Sequence, residues 1–513
     1  MNISRLLKYS AYLLIALAAL KGFYHLASLS WFFFAGEYTG DAKYYFTVGR
    51  GIVNGHVLYT DIFDTKPPGV YLLSALSMSI FNSAVLGSIL NGLIVLAYPI
   101  TFGLAAYVLD RRVFTVVLSA LFGLLLALNS GFQAGAWQME WFGAFFGSLY
   151  ALALVLTSRS RTSKLSIGIL SICMVLTIGF KEPFALVLIG TGLVLLPTKK
   201  DLLYGLLLPL IITAIVGVIG LLVFGYAGGY FSTYLPSHFG HHLVRSVPLW
   251  QRGFYANLML KYLWEFSYAF SALIVILFSS ALLQSRQFVR PVARIGLIVL
   301  ALYLGLTAGN LRGYPVASHF VALIPLYTAL FLLLLKRLDI TARIFMGVMV
   351  FTLITLPMSD GYSQYAAALL GRAKGEAVHK ETADKIDAIL DACDVDRYFF
   401  VEERPYMEYM QHSPLNFFVY AGPSSIVYYH PKIIEKHLKS FSAAKIVIAA
   451  GDSYEIREQS AEKALSEMTF RYLANNFTIL PWECAADLSL PDGYSVLFRK
   501  DLDAMKPFLF KMK

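Results

Sequence analysis

The 513 residues of this chain are 58% hydrophobic and only 14% charged, whereas a soluble domain carries roughly 25% charged residues. This composition excludes a soluble enzyme, a disordered protein and a nucleic-acid-binding domain, so no nucleic-acid partner is expected. The net charge of +10 is explained by membrane topology, because the cytoplasmic loops of membrane proteins collect Lys and Arg. The chain is therefore predicted to place most of its surface in the lipid bilayer.

Apolar stretches recur throughout residues 1–358. A helix of about 20 apolar residues crosses the hydrocarbon core of a bilayer, and about eleven stretches approach this length. The candidate spans are 9–33, 84–108, 113–129, 141–157, 165–179, 183–197, 202–226, 263–283, 295–309, 319–335 and 343–358. They predict a mainly α, polytopic membrane domain over residues 1–358. The short stretches on either side of Lys181 are expected to form a broken or re-entrant element.

Lys and Arg are concentrated in alternate short connections, which the positive-inside rule places in the cytoplasm together with the N-terminus. These basic residues are Arg5, Lys8, Arg111, Arg112, Arg159, Arg161, Lys164, Lys199, Lys200, Arg286, Arg290, Arg294, Lys336, Arg337 and Arg343. The opposite connections face outward and are 34–83, 130–140, 180–182, 227–262 and 310–318. An odd number of spans then places the C-terminus outside. The compact outer loops favour a bacterial inner membrane over an endoplasmic reticulum.

Residues 359–513 are much richer in charge than the rest of the chain. Apolar strand-like runs alternate there with amphipathic helical patterns, which predicts a small α/β domain outside the membrane. Strands are expected at 397–403, 443–452 and 494–501, and helices at 431–441 and 460–477. Cys393 and Cys484 both fall in this domain and can pair only in an oxidising compartment. We expect them to remain two free thiols.

The first outer loop, residues 34–83, contains the residues best suited to chemistry. A carboxylate at the membrane surface, such as Asp41, can take the proton from an acceptor hydroxyl. The Pro67-Pro68 pair fixes the backbone next to Lys66, whose ammonium can hold a lipid phosphate as a point charge. The alternative for Asp41 is a simple helix cap. Residues 70–81 are predicted to form a helix lying along the membrane interface.

This loop resembles that of the GT-C superfamily of polytopic glycosyltransferases, in the branch related to protein O-mannosyltransferases and aminoarabinose lipid A transferases. The residues that match the motif of that branch are Gly55, Tyr59, Asp61, Phe63, Asp64, Lys66, Pro67, Pro68, Gly69 and Tyr71. The resemblance implies a transferase that uses a polyprenyl-phosphate sugar on the outer face. It implies that Asp41 is the catalytic aspartate, that Lys66 lies near the donor phosphate, and that Tyr59 and Asp61 belong to the substrate site.

The chain departs from the family beside Asp41. Some members have a second acidic residue directly after the aspartate, whereas Ala42 and Lys43 stand here. This difference puts in doubt any arrangement of two carboxylates, or of a bridging metal, built from the first loop alone.

Further candidates lie at the other outer connections. The family often has an acidic residue at the position of Glu140, a lysine at that of Lys181, and an Arg-aromatic-Pro-His pattern like the one that contains Arg312 and His319. The resemblance therefore places these four residues at the substrate. The alternatives are that Glu140 is simply solvated, that Lys181 pairs with Glu182, that Arg312 snorkels to headgroups, and that His319 is a hydrogen-bonded anchor.

The third outer loop contains three histidines, His238, His241 and His242. Their spacing resembles that of metal ligands, but zinc needs further well-placed partners, and no carboxylate lies close in sequence. A polar loop at the acceptor entrance, with Arg245 or Arg252 as phosphate contacts, is the preferred interpretation. A divalent metal cofactor is left open, and no other cofactor is expected.

The sequence thus predicts a GT-C-like glycosyltransferase for glycan biosynthesis in the cell envelope. It moves a sugar, with inversion, from a polyprenyl-phosphate donor to a hydroxyl of a glycan, lipid or protein acceptor, and Asp41 is the general base. A polymerase or ligase of lipid-linked glycans is the first alternative, although the K-P-P-G loop is not expected in such proteins. A transporter or flippase is the second, but no internal repeat of the kind such proteins contain is visible.

Overall fold

The structure is a computed structural model that describes most of the chain. Described are scattered residues between 9 and 30, and residues 42–109, 111–128, 138–157, 162–196, 198–238, 289–309, 321–335, 378–401, 405–419, 431–450, 471–489, 491 and 494–500. The candidate spans 263–283 and 343–358 lie outside these residues. The described part is mostly helical and contains one small sheet.

Helices lie at the positions of the predicted spans that fall on described residues. The helices before residue 240 are α1 (Ala42–Val53), α2 (Pro68–Phe81), α3 (Val85–Leu109), α4 (Val113–Leu128), α5 (Met139–Leu156), α6 (Lys164–Phe180), α7 (Phe184–Leu195), α8 (Lys199–Val223) and α9 (227–238). The later helices are α10 (Val289–Gly309), α11 (Ile324–Leu335), α12 (378–392), α13 (Pro431–Ala443) and α14 (471–476). Within the described part, α3, α5 and α8 are long and apolar enough to cross a membrane.

The chain divides into two compact units. The first comprises Met1–Gly40, Ser88–Gly220 and Arg245–Ala367. The second comprises Asp41–Gly87, Leu221–Val244 and Ala368–Lys513. The sequence assigns the first outer loop to the membrane domain, whereas the structure groups most of this loop with the C-terminal domain.

Glycines allow close helix packing in the first unit. A Cβ atom on Gly190 of α7 would lie 2.9 Å from the Cα atom of Ala301 on α10. Likewise, a Cβ atom on Gly147 of α5 would lie 2.7 Å from the Cγ atom of Pro325 on α11. Small residues at such contacts are typical of membrane helices, whose association depends on van der Waals packing.

The predicted break around Lys181 is present. Helix α6 ends at Phe180, Lys181 has an extended backbone, and α7 begins at Phe184. At 1.5 Å per residue, the 12 residues of α7 extend about 18 Å, which is shorter than the ~30 Å hydrocarbon core. The two short helices are therefore joined by a turn at Lys181 within the first unit.

The second unit contains a five-stranded sheet with the order β2-β1-β3-β5-β4. Its strands are β1 (Arg397–Phe400), β2 (Ser413–Pro414), β3 (Ile446–Ala450), β4 (Phe477–Thr478) and β5 (Tyr494–Arg499). Strands β2, β1 and β3 are parallel, whereas β5 is antiparallel to both β3 and β4. The predicted strands and the predicted helix at 431–441 are therefore confirmed, and the short strands β2 and β4 are additions.

The expectation of two free thiols in this domain is wrong. Cys393, just after α12, and Cys484, beyond β4, form a disulfide that joins positions 91 residues apart. Their separation along the chain gives no sign of this, because only the folded sheet brings the two segments together. Cys173 in α6 is a free, buried cysteine.

Candidate active site

A tight turn precedes Lys66 in the second unit. Tyr59 has a backbone φ of 65°, a left-handed conformation that is unusual for a bulky residue. The turn is closed by a hydrogen bond from the Tyr59 amide to the Ile62 carbonyl at 2.7 Å. The carboxylate of Asp61 accepts a further bond from the Val57 amide at 2.9 Å. Asp61 is exposed and helps to fix this turn through its own side chain.

The phenol of Tyr59 connects this turn to Lys66. Its hydroxyl donates a hydrogen bond to the Lys66 carbonyl at 2.7 Å, and Tyr59 is fully buried. Pro67 and Pro68 follow, and Pro68 begins α2, a position that suits proline because its missing amide is not needed there. The backbone of Lys66 is thus held by a hydrogen bond at its carbonyl and by two rings of fixed φ after it.

A buried carboxylate lies next to this lysine in sequence. Asp64 is fully buried, and its Oδ1 atom accepts a hydrogen bond from the Thr65 amide at 2.5 Å. Burial raises the pKa of Tyr71 well above its usual value, and the neighbouring Asp64 carboxylate raises it further. Asp64 and Tyr71 both belong to the loop motif. The motif therefore contains a buried acid two residues before Lys66 in the sequence.

Phe63 joins the loop to the C-terminal domain by backbone hydrogen bonds. Its amide donates to the Phe417 carbonyl at 2.6 Å, and its carbonyl accepts from the Val419 amide at 3.1 Å. The rings of Phe63 and Phe417 stack with their centroids 5.6 Å apart. Lys436 of α13 lies over the Phe417 ring and donates to the carbonyl of Thr60 at 3.4 Å.

A second anchor lies at the ends of α1 and α2. The side-chain amide of Asn54 donates to the Gln411 carbonyl at 3.0 Å, and that of Asn82 donates to the Gln411 Oε1 atom at 3.0 Å. Arg50 of α1 also hydrogen-bonds to the side chain of Asn82. These contacts fix the two helices that flank the loop motif against the C-terminal domain.

Basic groups surround the exposed carboxylate of Asp61. Burial lowers the pKa of Arg397, and Asp61 opposes this change. Burial likewise lowers the pKa of Lys436, again against the effect of Asp61. The pKa of His56 is lowered by burial and by Arg397. This side of the loop therefore carries the Asp61 carboxylate near two cations, Arg397 and Lys436, and near a histidine whose neutral form is favoured.

Residues that the sequence did not single out enclose Tyr59. Helix α9 contains a π-helical segment, Tyr230–Tyr234, and its two terminal tyrosines pack on the Tyr59 ring. The Tyr59 centroid lies 4.7 Å from that of Tyr234 and 5.8 Å from that of Tyr230. The only trace in the sequence is the recurrence of tyrosine four residues apart, which is also common in ordinary core packing.

Two candidate residues of the first unit form an ion pair. The Nζ atom of Lys181 lies 2.6 Å from the Oε1 atom of Glu140, and their side chains are 13% and 2% exposed. Glu140 is in the first turn of α5, and Lys181 is the C-cap of α6. The structure therefore brings together two candidates that the sequence analysis had treated separately. The sequence analysis had named Glu182 as the alternative partner of Lys181.

The remaining candidates lie outside the described residues. They are Asp41, Arg312 and His319, together with His241 and His242 of the third outer loop. Helix α1 is described from Ala42 onward. Among the residues that the structure describes, no group of three His, Cys, Asp or Glu side chains is placed to hold a metal ion.

A scan against protein-family models and a search of curated proteins both give no match. A search of solved structures matches the chain to the crystal structure of ArnT from Cupriavidus metallidurans bound to undecaprenyl phosphate. The match has a TM-score of 0.54 and 15% sequence identity, and it covers 95% of this chain and 97% of that one. It shows that this chain shares the fold of that protein, and this agrees with the resemblance seen in the first outer loop.

Proposed function

We propose that this protein is an integral-membrane glycosyltransferase that uses a polyprenyl-phosphate sugar as its donor. One observation carries the proposal: over 95% of its length the chain matches the fold of a protein crystallised with undecaprenyl phosphate. The fixed backbone of Lys66 supports it, because a lysine held in one place can act as a point charge for phosphate. The acceptor is a hydroxyl of a glycan, a lipid or a protein.

The proposed reaction is an in-line displacement at the anomeric carbon of the sugar. Asp41 takes the proton of the acceptor hydroxyl, and the acceptor oxygen bonds to the anomeric carbon from the face opposite the phosphate. The bond between that carbon and the phosphate oxygen breaks, and its electron pair leaves on the polyprenyl phosphate. The product has inverted configuration. Lys66 stabilises the charge that develops on the phosphate.

Supporting roles are proposed for other candidates of the substrate site. We propose that Arg312 and Lys181 assist in binding the donor, since Arg suits bidentate phosphate contacts. Glu140 is proposed to orient Lys181, with which it forms the 2.6 Å ion pair. His319, Tyr59 and Asp61 complete the proposed site.

The proposed topology has about eleven spans, with the N-terminus in the cytoplasm and the C-terminal domain outside a bacterial inner membrane. The domains of this topology are residues 1–358, with the first outer loop at 34–83, and residues 359–513. The disulfide between Cys393 and Cys484 supports the outward placement, because disulfides persist in oxidising compartments and are rare in the cytosol.

The test is an activity assay with the purified full chain in nanodiscs. A panel of undecaprenyl-phosphate sugars is supplied with a membrane extract as the source of acceptors, and the release of undecaprenyl phosphate is measured. Wild type is compared with Asp41→Asn, which keeps the size of the side chain and removes the base. Asp201→Asn is the matched control, because Asp201 lies in the first turn of α8 on the proposed cytoplasmic side, where its carboxylate accepts from the hydroxyl of the N-cap residue Thr198.

We expect release by wild type and by Asp201→Asn, and none by folded Asp41→Asn. Full activity of Asp41→Asn would make Asp41 a helix cap and end its proposed catalytic role. Joining of two lipid-linked glycans by wild type would favour the polymerase or ligase. Movement of an intact lipid-linked sugar across the membrane without release would favour a flippase.

A further inference from the structure

The conformation of the turn before Lys66 needs an external support. Tyr59 has a φ of 65°, and a bulky side chain keeps such a conformation only where the surrounding structure imposes it. Tyr59 also provides the hydrogen bond of 2.7 Å that holds the Lys66 carbonyl. Whatever fixes the Tyr59 ring therefore also fixes the backbone that carries the Lys66 ammonium.

The support is the π-helical segment of α9. Tyr234 is buried and lies closest to the Tyr59 ring, with their centroids 4.7 Å apart. Tyr230 packs edge-on to Tyr59 and also stacks on Tyr234 at 4.9 Å. The ring of His238 stacks on that of Tyr234, with their centroids 5.4 Å apart. Tyr230, Tyr234 and His238 thus form an aromatic cluster that packs on the Tyr59 ring through its two tyrosines.

The backbone of α9 approaches the turn just as closely. A Cβ atom on Gly229 would lie 2.7 Å from the carbonyl carbon of Tyr59 and 2.7 Å from the Thr60 Oγ1 atom. Those distances are too short for any side chain, so only glycine permits this contact. Gly228, the preceding residue, has nothing within 4 Å of the same atom. The approach is therefore specific to one face of the helix.

The π-helical winding serves this contact. An α-helix has 3.6 residues per turn. Local π-helical winding within an α-helix is rare, and the known cases lie frequently at functional sites. Here the change covers Tyr230–Tyr234, the same residues whose rings enclose Tyr59. The altered winding and the close glycine are two separate features of α9 that act on one turn.

We propose that residues 229–234 of the third outer loop form a positioning element for Lys66, acting through Tyr59. This inference depends on the proposed function, because it gives Lys66 a phosphate to bind. Tyr59 and Tyr234 are positioning residues in this arrangement. Tyr59 is fully buried, so its contribution to the donor site passes through the Lys66 carbonyl and not through contact with the donor.

The test compares two lipids that differ only in the phosphate. Purified full-length protein in nanodiscs is titrated with undecaprenyl phosphate and, separately, with undecaprenol. Tyr59→Phe removes only the hydroxyl that holds Lys66, and Gly229→Ala pushes α9 away from the turn. The matched controls are Tyr398→Phe, whose hydroxyl has no hydrogen-bond partner among the described residues, and Gly228→Ala. Lys66→Met shows how much of the affinity depends on the ammonium.

We expect Tyr59→Phe and Gly229→Ala to raise the Kd for undecaprenyl phosphate roughly 3- to 10-fold, the range of one lost hydrogen bond. Their Kd for undecaprenol is expected to stay at the wild-type value. For the controls Tyr398→Phe and Gly228→Ala, the Kd values for both lipids are expected to stay at the wild-type values. An equal loss for both lipids would reduce the role of α9 to general structure and overturn the inference. Wild-type affinity for undecaprenyl phosphate in both variants would also overturn it. Absence of any preference of wild type for the phosphate would instead overturn the proposed function.

Discussion

Lys181 and Glu140 are 41 residues apart in the sequence, yet their charged atoms lie 2.6 Å apart. Each is at a helix end: Glu140 in the first turn of α5, where a negative charge is favourable, and Lys181 at the break between α6 and α7. A charge at membrane depth is tolerated when it has a partner. The break in the α6–α7 pair is thus the feature that gives Glu140 its counter-ion.

Removing one member of this pair is expected to be more harmful than removing both. Lys181→Met leaves the Glu140 carboxylate buried without its cation, which costs about 3–5 kcal/mol for a buried pair. Lys181→Met combined with Glu140→Gln is expected to recover most of that loss. Thermal unfolding of the protein in detergent measures both. Glu140→Gln alone completes the comparison, and simple additivity of the two single changes would show that the pair contributes no coupling energy.

The disulfide of the C-terminal domain can be checked by counting thiols. In protein from oxidising conditions, denaturation without reductant is expected to expose one alkylatable thiol, that of Cys173, and denaturation with reductant three. Closing a loop of this length stabilises a domain by about 2–5 kcal/mol, so Cys393→Ser is expected to lower its unfolding temperature. Modification of three thiols without reductant would contradict the pairing and weaken the outward placement of the domain.

His412 is expected to make the C-terminal domain more stable at mildly acidic pH. Its Nδ1 atom lies 2.7 Å from an Asp387 oxygen, and this hydrogen bond raises its pKa against partial burial, with help from Asp391 and Asp396. The folded state then binds the proton more tightly than the unfolded state does. The stabilisation is complete below the unfolded value of about 6.5 and is lost as pH rises through the folded pKa.

The measurement is the unfolding free energy of wild type and His412→Gln between pH 5.5 and 9, by chemical denaturation. The difference between the two proteins is expected to shrink as pH rises. A difference that stays constant over this range would show that His412 does not titrate with the assigned partners.

His437 is expected to act in the opposite direction. It is fully buried in α13, its Nδ1 atom accepts from the Phe418 amide at 3.4 Å, and burial lowers its pKa to about 3. Below pH 6.5 the unfolded chain takes up a proton that the folded domain refuses, so stability falls by at most about 1.4 kcal/mol per pH unit. His437→Leu is expected to be less stable at pH 7 and to show a smaller fall towards pH 4. The same fall in both proteins would assign the acid sensitivity to other groups.

Helix packing in the first unit gives a prediction with an internal control. Gly190→Ala places a methyl group 2.9 Å from the Cα atom of Ala301, and such overpacking costs about 1–3 kcal/mol. Gly168→Ala on α6 meets nothing within 4 Å and is expected to be neutral or to stabilise by roughly 0.5–1 kcal/mol. Thermal unfolding in one detergent compares them directly. Equal stability would mean that α7 and α10 can separate without cost.

The parts of the fold that depend on local pattern were predictable from the sequence. Apolar length marks the membrane helices, and the alternation of apolar runs with amphipathic stretches marks strands β1, β3 and β5. The break at Lys181 is visible because a charge interrupts an apolar run. In the candidate site, the first outer loop was found because it combines a carboxylate at Asp41 with a Lys66-Pro67-Pro68 segment that resembles a family motif.

Contacts between distant segments were not predictable in this way. Lys181 has an acid beside it in Glu182, and only the packing of α5 on α6 shows that Glu140 is within reach. Nothing near Cys393 indicates Cys484 as its partner. The π-helical winding at Tyr230–Tyr234 lies next to the close approach of Gly229 to Tyr59, a tertiary contact that a sequence pattern does not report.

The hydrogen bonds between Phe63 and residues 417–419 have a consequence for biosynthesis. Phe63 and Phe417 are separated by 417 − 63 = 354 residues, and synthesis proceeds at about 5–20 residues per second, so roughly 20–70 s pass between them. In the proposed topology, the segment with Lys66 therefore crosses the membrane long before residues 417–419 are synthesised. If the proposed function and topology hold, assembly of the donor site waits for translocation of the last third of the chain, and a nascent chain arrested earlier is expected to be inserted but inactive.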